Sequence, residues 1–229
     1  MRALYEKAVF YHIYPLGLLG APKENFSPDK EPVCPAPLRN LEPWIPHMKG
    51  LGCNALYIGP LFESSTHVYD TRDYRLVDRR LGTNEDFRRF VKLCHEAGIQ
   101  VVVDGVFNHT GREFFAFRGL QENSEDSPYS SWYRNVQFHT GSPLGDSFCY
   151  DCWQGHFSLP CLNLSNPEVK TYLFDTVRFW IEQFDIDGIR LDCANVLDMS
   201  FMQELREKTA ADRKSTRQNS SHIRRSRMP

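Results

Sequence analysis

Short apolar runs, each closed by a polar or turn-forming residue, recur along this chain and predict strands. Val9 to Tyr14 alternates aliphatic and aromatic side chains and stops at Pro15; Ala55 to Ile58 stops at Gly59-Pro60. Val101 to Val106 opens with the continuous apolar run of a strand buried on both faces, and a polar cluster of Asp104, Asn108 and His109 follows within and after it. Ile186 to Leu191 is punctuated by Asp187, Gly188 and Arg190 and ends on Asp192. It is too short for a helix and predicts a buried strand with a carboxylate at its C-terminal tip.

Between these runs the apolar period changes to that of helices. Leu38, Leu41, Ile45 and Met48 recur at helical spacing, with Pro43 and Pro46 placed early or kinking the helix. Thr83-Asn-Glu-Asp86 opens another helix, with acidic groups in its first turn; Phe87, Phe90, Val91 and Cys94 form its buried stripe and Gly98 stops it. Asn166-Pro167-Glu168 caps a third, whose stripe runs through Val169, Tyr172, Leu173, Val177, Trp180, Ile181 and Phe184. Phe201, Met202 and Leu205 begin one more. Residues 16–37 and 65–74 read as loops. A repeated strand–helix unit with polar residues at the strand C-termini is the pattern of parallel sheets and barrels.

The stretch from Thr110 to Pro167 shows no clear periodicity and is rich in Gly, Pro, Ser and aromatics, among them Phe114, Phe115, Phe117, Tyr129, Trp132, Tyr133 and Trp153. A segment this long predicts a functional insertion or a small subdomain. Its aromatics suit either a carbohydrate cleft or the subdomain's own core.

Arg190 and Asp192 lie two residues apart, so on a strand they share a face. A guanidinium beside a carboxylate holds it ionised and oriented, which a nucleophilic carboxylate requires. A plain salt bridge at a strand end fits the same pair.

Composition narrows the classes. The 229 residues hold 27 Lys and Arg against 29 Asp and Glu. The last eighteen carry six of the basic residues and one of the acidic, leaving a body of 21 basic and 28 acidic residues, net −7. An acidic body argues against a nucleic-acid surface. No apolar run is long enough to span a bilayer, and the first residues lack a signal-peptide core, so the expectation is a cytoplasmic protein with reduced thiols. Seven cysteines are scattered; Cys149, Cys152 and Cys161 beside His156 leave zinc or buried structural thiols as readings, and the lone Cys-x-x-Cys favours the latter.

Two motifs then point to a family. Asp104-Gly-Val-Phe-Asn108-His109 and Gly188-Ile-Arg190-Leu-Asp192 resemble, in order and separation, the first and second signature regions of the α-amylase family of glycoside hydrolases. His67-Val-Tyr69-Asp70-Thr-Arg-Asp73-Tyr74 is similar to that family's loop after the second strand, and Leu159-Pro-Cys-Leu-Asn163 to its additional motif, nearest the neopullulanase-like and cyclomaltodextrinase-like members. Cys161 stands where those members usually carry a charge, and Val196 where they carry an acid.

The resemblance implies about the first four βα units of a (β/α)8 barrel: residues 1–109 with strands 1–3, an inserted subdomain over 110–167, and 168–211 continuing the barrel. It implies a retaining hydrolase of α-linked glucans of maltodextrin or pullulan type, with a transglycosylase, an isomerase or a non-catalytic binding member as alternatives. Asp192 matches the nucleophile and Arg190 the residue that orients it. His109 would donate to the sugar, Tyr69 would form a stacking floor, Asp104 and Asn108 would support Arg190, and Asn195 would shape the next subsite. No cofactor is implied; calcium is compatible with the family, but no residue pattern here points to it. The family's acid/base Glu follows the fifth strand, so the chain is expected to lack it and to be inactive alone. Residues 212–229 resemble a translated sequencing adapter, which places the break in the natural chain near Ala211.

Overall fold

The computed structural model describes residues 6–26 and 34–209. Residues 212–229, read above as a non-native tail, lie outside them. Along the chain run β1 (Phe10–Ile13), α1 (Pro15–Leu18), α2 (Trp44–Gly50), β2 (Ala55–Ile58), β3 (Phe62–Ser64), β4 (Thr71–Val77), α3 (Asn84–Glu96) and β5 (Gln100–Gly105). After these come α4 (Phe115–Asn123), β6 (Gln137–Phe138), β7 (Phe148–Cys149), β8 (Cys152–Trp153), β9 (His156–Pro160), α5 (Pro167–Phe184) and β10 (Gly188–Leu191), then a last helix, α6, over 199–209.

The four strands predicted from the apolar runs form one parallel sheet in the order β1-β2-β5-β10. All but the first residue of β5 is buried, because β5 has a neighbour on each side and helices over its outer face. β10 departs from expectation. It is half-exposed rather than buried, with Arg190 open to solvent, because it pairs with β5 alone among the described residues and forms an edge. An apolar groove of about 240 Å³, lined by Ile181, Ile186, Leu191, Met202 and Leu205, runs beside that edge.

Helix boundaries follow the capping chemistry. Thr83 and Asp86 form a reciprocal box: the Asp86 amide donates to the threonine hydroxyl and the Asp86 carboxylate accepts from the Thr83 amide at 2.8 Å. Asn166 Oδ1 accepts from the Glu168 amide at 2.8 Å, with Pro167 in the first turn of α5. The α5 stripe enters the core as predicted, where Trp180 is fully buried, stacks on Phe62 at 4.4 Å and donates to the Tyr74 carbonyl at 2.6 Å.

Two loop expectations are corrected. Residues 71–74 belong to β4, paired antiparallel with β3, because Thr71, Tyr74 and Val77 turn inward onto the α5 core. The 16–37 stretch begins inside a short helix opened by Pro15. The 110–167 segment holds α4 and two small antiparallel pairs, β6–β7 and β8–β9. Several of its aromatics pack on one another: buried Phe117 meets Tyr133 and Tyr150 edge-on, and the exposed Phe115 meets Tyr129 and Trp132.

One ion pair fastens α3 to the turn before β10. His95 Nε2 lies 2.6 Å from Asp187 Oδ2, which also accepts from the Val101 amide at 2.9 Å. Hydrogen bonds to Asp185 and Asp187 raise the His95 pKa to about 9. The folded value lies above the ordinary one near 6.5, so the pair's stabilisation is complete below about pH 6.5 and fades as pH rises through about 9. The difference in melting temperature between the wild type and His95→Gln is therefore expected to be largest near pH 6 and to shrink towards pH 10. A difference that grows with pH in thermal melts would refute this.

Candidate active site

Alternation along the parallel strands places every second side chain on one face of the sheet. His12, Tyr57 and Val102 stand in register across β1, β2 and β5, and one step further on Asp104 stands opposite Arg190. His12 stacks on Tyr57 at 4.4 Å. The Tyr57 hydroxyl donates to Asp104 Oδ2 at 2.6 Å. Arg190 Nη1 lies 3.1 Å from Asp104 Oδ1 and 2.7 Å from Asp192 Oδ1, so one nitrogen spans both carboxylates.

Burial pushes the Asp104 carboxyl up, against the opposing pull of Tyr57 and Arg190. Burial also disfavours the charge of Arg190, but Asp104 and Asp192 outweigh it and hold the guanidinium protonated. Behind Asp192, then, stands a fixed positive charge anchored on a carboxylate that is only 1% exposed.

His109 enters from beyond the end of β5. Its main chain bridges to Cys161, and the Leu162 amide donates to the Asn108 carbonyl at 2.9 Å, so the 159–163 motif runs antiparallel beside residues 108–110. Burial lowers the His109 pKa to about 4, so the ring is neutral at pH 7. Asn108 Nδ2, a donor, lies 3.1 Å from Nδ1, which makes Nδ1 the acceptor and leaves the proton on Nε2. The Tyr69 main chain approaches the ring closely enough to favour its charged form, but not in hydrogen-bonding geometry. The Nε2–H donor is therefore buried and unpaired.

A cavity of about 300 Å³ is lined by Tyr69, His109, Trp153, His156, Asp192 and Cys193, among others. Asp192 is the one carboxylate among the described residues lining it. Of the residues singled out in the sequence, Tyr69, His109 and Asp192 thus meet in one cavity, while Arg190 and Asp104 stand behind Asp192. Asn108 and Asn195 line an adjoining cavity of about 230 Å³ together with Cys152, Cys161 and Cys193. Among the described residues no group of three or more His, Cys, Asp and Glu is arranged to hold a metal ion.

Tyr57, His12, Trp153 and Cys193 were not read as site residues from the sequence. For His12 and Tyr57 a signal existed: each is a polar ring at the alternate position of an otherwise apolar strand. Trp153 had none that separates it from the other insertion aromatics, yet it sits 5.9 Å from His109 and stacks with His156 at 5.5 Å.

Comparison with known proteins identifies the family of the chain. The sequence profile described as alpha amylase, catalytic domain, matches residues 40–226. The chain is 40% identical over 167 residues to a cyclomaltodextrinase of Thermoanaerobacter pseudethanolicus, covering 71% of this chain and 28% of that protein. It is 37% identical over 213 residues to neopullulanase 2 of Thermoactinomyces vulgaris, covering 88% and 36%. Its fold is similar to that of a cyclic α-maltosyl-(1→6)-maltose hydrolase from Arthrobacter globiformis, with a TM-score of 0.74 at 34% identity, covering 90% of this chain and 49% of that one. The chain thus spans about a third of those curated relatives and half of that solved one. With the signature residues gathered at one end of a parallel sheet and this profile spanning most of its length, the chain belongs to the alpha-amylase catalytic-domain family.

Proposed function

We propose that this chain supplies the nucleophile side of a retaining glycoside hydrolase site for α-linked glucans. The observation that carries the reading is Asp192, held by Arg190 on Asp104, facing the same cavity as Tyr69 and the unpaired His109 donor. Asp192 is the nucleophile, and the Arg190 guanidinium aims it. Tyr69 packs under the apolar face of a glucosyl ring, His109 Nε2–H donates to a sugar hydroxyl, and Asp104 and Asn108 fix Arg190 and the imidazole. Asn195, in the adjoining cavity, shapes the neighbouring subsite. The relatives are named for cyclomaltodextrin and cyclic maltosyl-maltose, which makes α-glucan oligosaccharides the natural ligand class.

In the same reading, β1, β2, β5 and β10 are the first four strands of a (β/α)8 barrel, residues 110–167 are a subdomain inserted after its third strand, and residues 212–229 are a non-native extension. Retaining hydrolysis needs a second carboxyl about 5–5.5 Å from the first, to protonate the departing oxygen. With Asp192 the one carboxylate among the described residues on the cavity wall, this chain alone binds glucan without turning it over; a purely binding role for it rests on the same observation.

Calorimetric titration with maltotetraose is the test. Binding is expected to weaken about 2- to 12-fold in His109→Ala, as loss of one hydrogen bond worth about 0.5–1.5 kcal/mol dictates. It should weaken in Tyr69→Ala as well. Absence of binding by the wild type, or binding unchanged from the wild type in both variants, would remove the assignment of this cavity.

A further inference from the structure

Asp192 is held on both oxygens. Arg190 takes Oδ1, and the Cys193 thiol donates to Oδ2 at 3.0 Å. Cys193 occupies a left-handed backbone conformation (φ 51°), which L-residues other than Asn and Asp seldom adopt. The thiol, partly buried, lies on the wall between the two cavities, and the same catalytic cavity contains the unpaired Nε2–H of His109, a residue 2% exposed. A strained backbone that turns a donor onto the carboxylate needs a reason beyond packing.

We infer that Cys193 is a positioning residue: its thiol fixes the rotation of the Asp192 carboxylate and sets the plane in which that group meets the glucosyl carbon. The role rests on the proposed function of Asp192. A thiol suits it because S–H is a weak donor. It holds the orientation of Oδ2 in the empty and the occupied site without neutralising the charge that meets a cationic or oxocarbenium-like sugar, since a carboxylate oxygen accepts more than one hydrogen bond. Arg190 alone leaves the carboxylate free to swing about its one anchored oxygen. An aliphatic side chain at position 193 supplies no second anchor, so this chain should depend on its thiol.

Two measurements on the full 229-residue chain test the inference. The first is the rate of iodoacetamide alkylation at Cys193, followed by peptide mass spectrometry. Burial first, and then Asp192, raises the Cys193 pKa to about 11. In Asp192→Asn the charge is gone, and alkylation at pH 8 should rise by about tenfold for each unit of pKa released. Cys161, buried on the wall of the adjoining cavity and out of contact with Asp192, is the internal control and should be unchanged. Equal Cys193 rates in both proteins overturn the contact.

The second measurement is calorimetric binding of 1-deoxynojirimycin, whose ammonium pairs with Asp192, beside neutral maltose. Cys193→Ala should weaken the iminosugar about 2- to 12-fold and leave maltose unchanged, and Cys193→Ser, which keeps a donor, should restore it. Equal loss for both sugars, or tighter iminosugar binding in Cys193→Ala, overturns the positioning role. If the wild type binds neither sugar, the glucan reading fails while the alkylation result still decides whether thiol and carboxylate are joined. If Asp192→Asn does not fold, seen as exposure of Cys161, the Cys193 variants decide.

Discussion

Replacing Arg80 by leucine should remove about 3–5 kcal/mol of folding stability, the usual cost of leaving one member of a buried ion pair without its partner. Arg80 and Asp78 are both fully buried. Arg80 Nε and Nη2 donate to the two oxygens of Asp78 at 2.8 and 2.7 Å. Nη2 also donates to Ser64 Oγ at 3.0 Å, while Nη1 reaches the carbonyls of Thr66 at 2.7 Å and Pro22 at 2.9 Å. All five guanidinium hydrogens are thereby used, which a lysine cannot reproduce. The same side chain ties the 22–25 segment to the turn that leads into Tyr69, so the loss reaches the cavity floor.

Against a typical domain stability of about 5–15 kcal/mol this is a large fraction. Arg80→Lys, which keeps a charge for Asp78 but loses the fork of donors, should cost less than Arg80→Leu. The double variant Arg80→Leu/Asp78→Leu should cost less than the sum of its parts, since removing both charges leaves neither stranded. Urea denaturation followed by tryptophan fluorescence reads all of these. A midpoint for Arg80→Leu within error of the wild type would show that the pair contributes nothing.

The second large effect concerns catalysis. When residues 1–211 are joined to the C-terminal half of a solved relative's barrel, turnover of cyclomaltodextrin should appear and should fall about 10⁴- to 10⁶-fold in Asp192→Asn, the scale of losing a nucleophile that works in a concerted set. The isolated chain should show none, because unassisted departure of the sugar oxygen forfeits a general-acid contribution of about 10²- to 10⁴-fold. Asp104→Asn separates positioning from chemistry. It removes the buried charge that anchors Arg190 and lets the guanidinium turn towards solvent, where it is already 45% exposed. A loss in kcat with little change in KM is expected there. Turnover by the isolated chain that vanishes in Asp192→Asn would mean that a second carboxyl has been overlooked.

Much of this protein was legible in its one-dimensional pattern. The four strands of the parallel sheet, the capping of α3 by Thr83 and Asp86 and of α5 by Asn166 and Pro167, and the order of Asp104, Asn108, His109, Arg190 and Asp192 are all local properties. A strand's apolar run or a cap's hydroxyl acts on residues within a turn or two, so its signature lies in adjacent letters.

What the tertiary structure decided are the pairings between distant segments. Asp78 and Arg80 stand two residues apart in the sequence, and only the enclosure by the 22–25 and 64–66 segments makes them a buried pair. The apolar letters of Ile186 to Leu191 read as a buried strand, but a strand's burial depends on its neighbours, and among the described residues β10 has one. Which insertion aromatic faces the cavity, which nitrogen of His109 keeps its proton, and which group takes the second oxygen of Asp192 depend on contacts such as Asn108 to Nδ1 and Cys193 to Oδ2. Hydrogen bonds are directional to within tens of degrees. The sequence determined which groups were available to make these contacts, and the packing of helices on the sheet determined where each donor points.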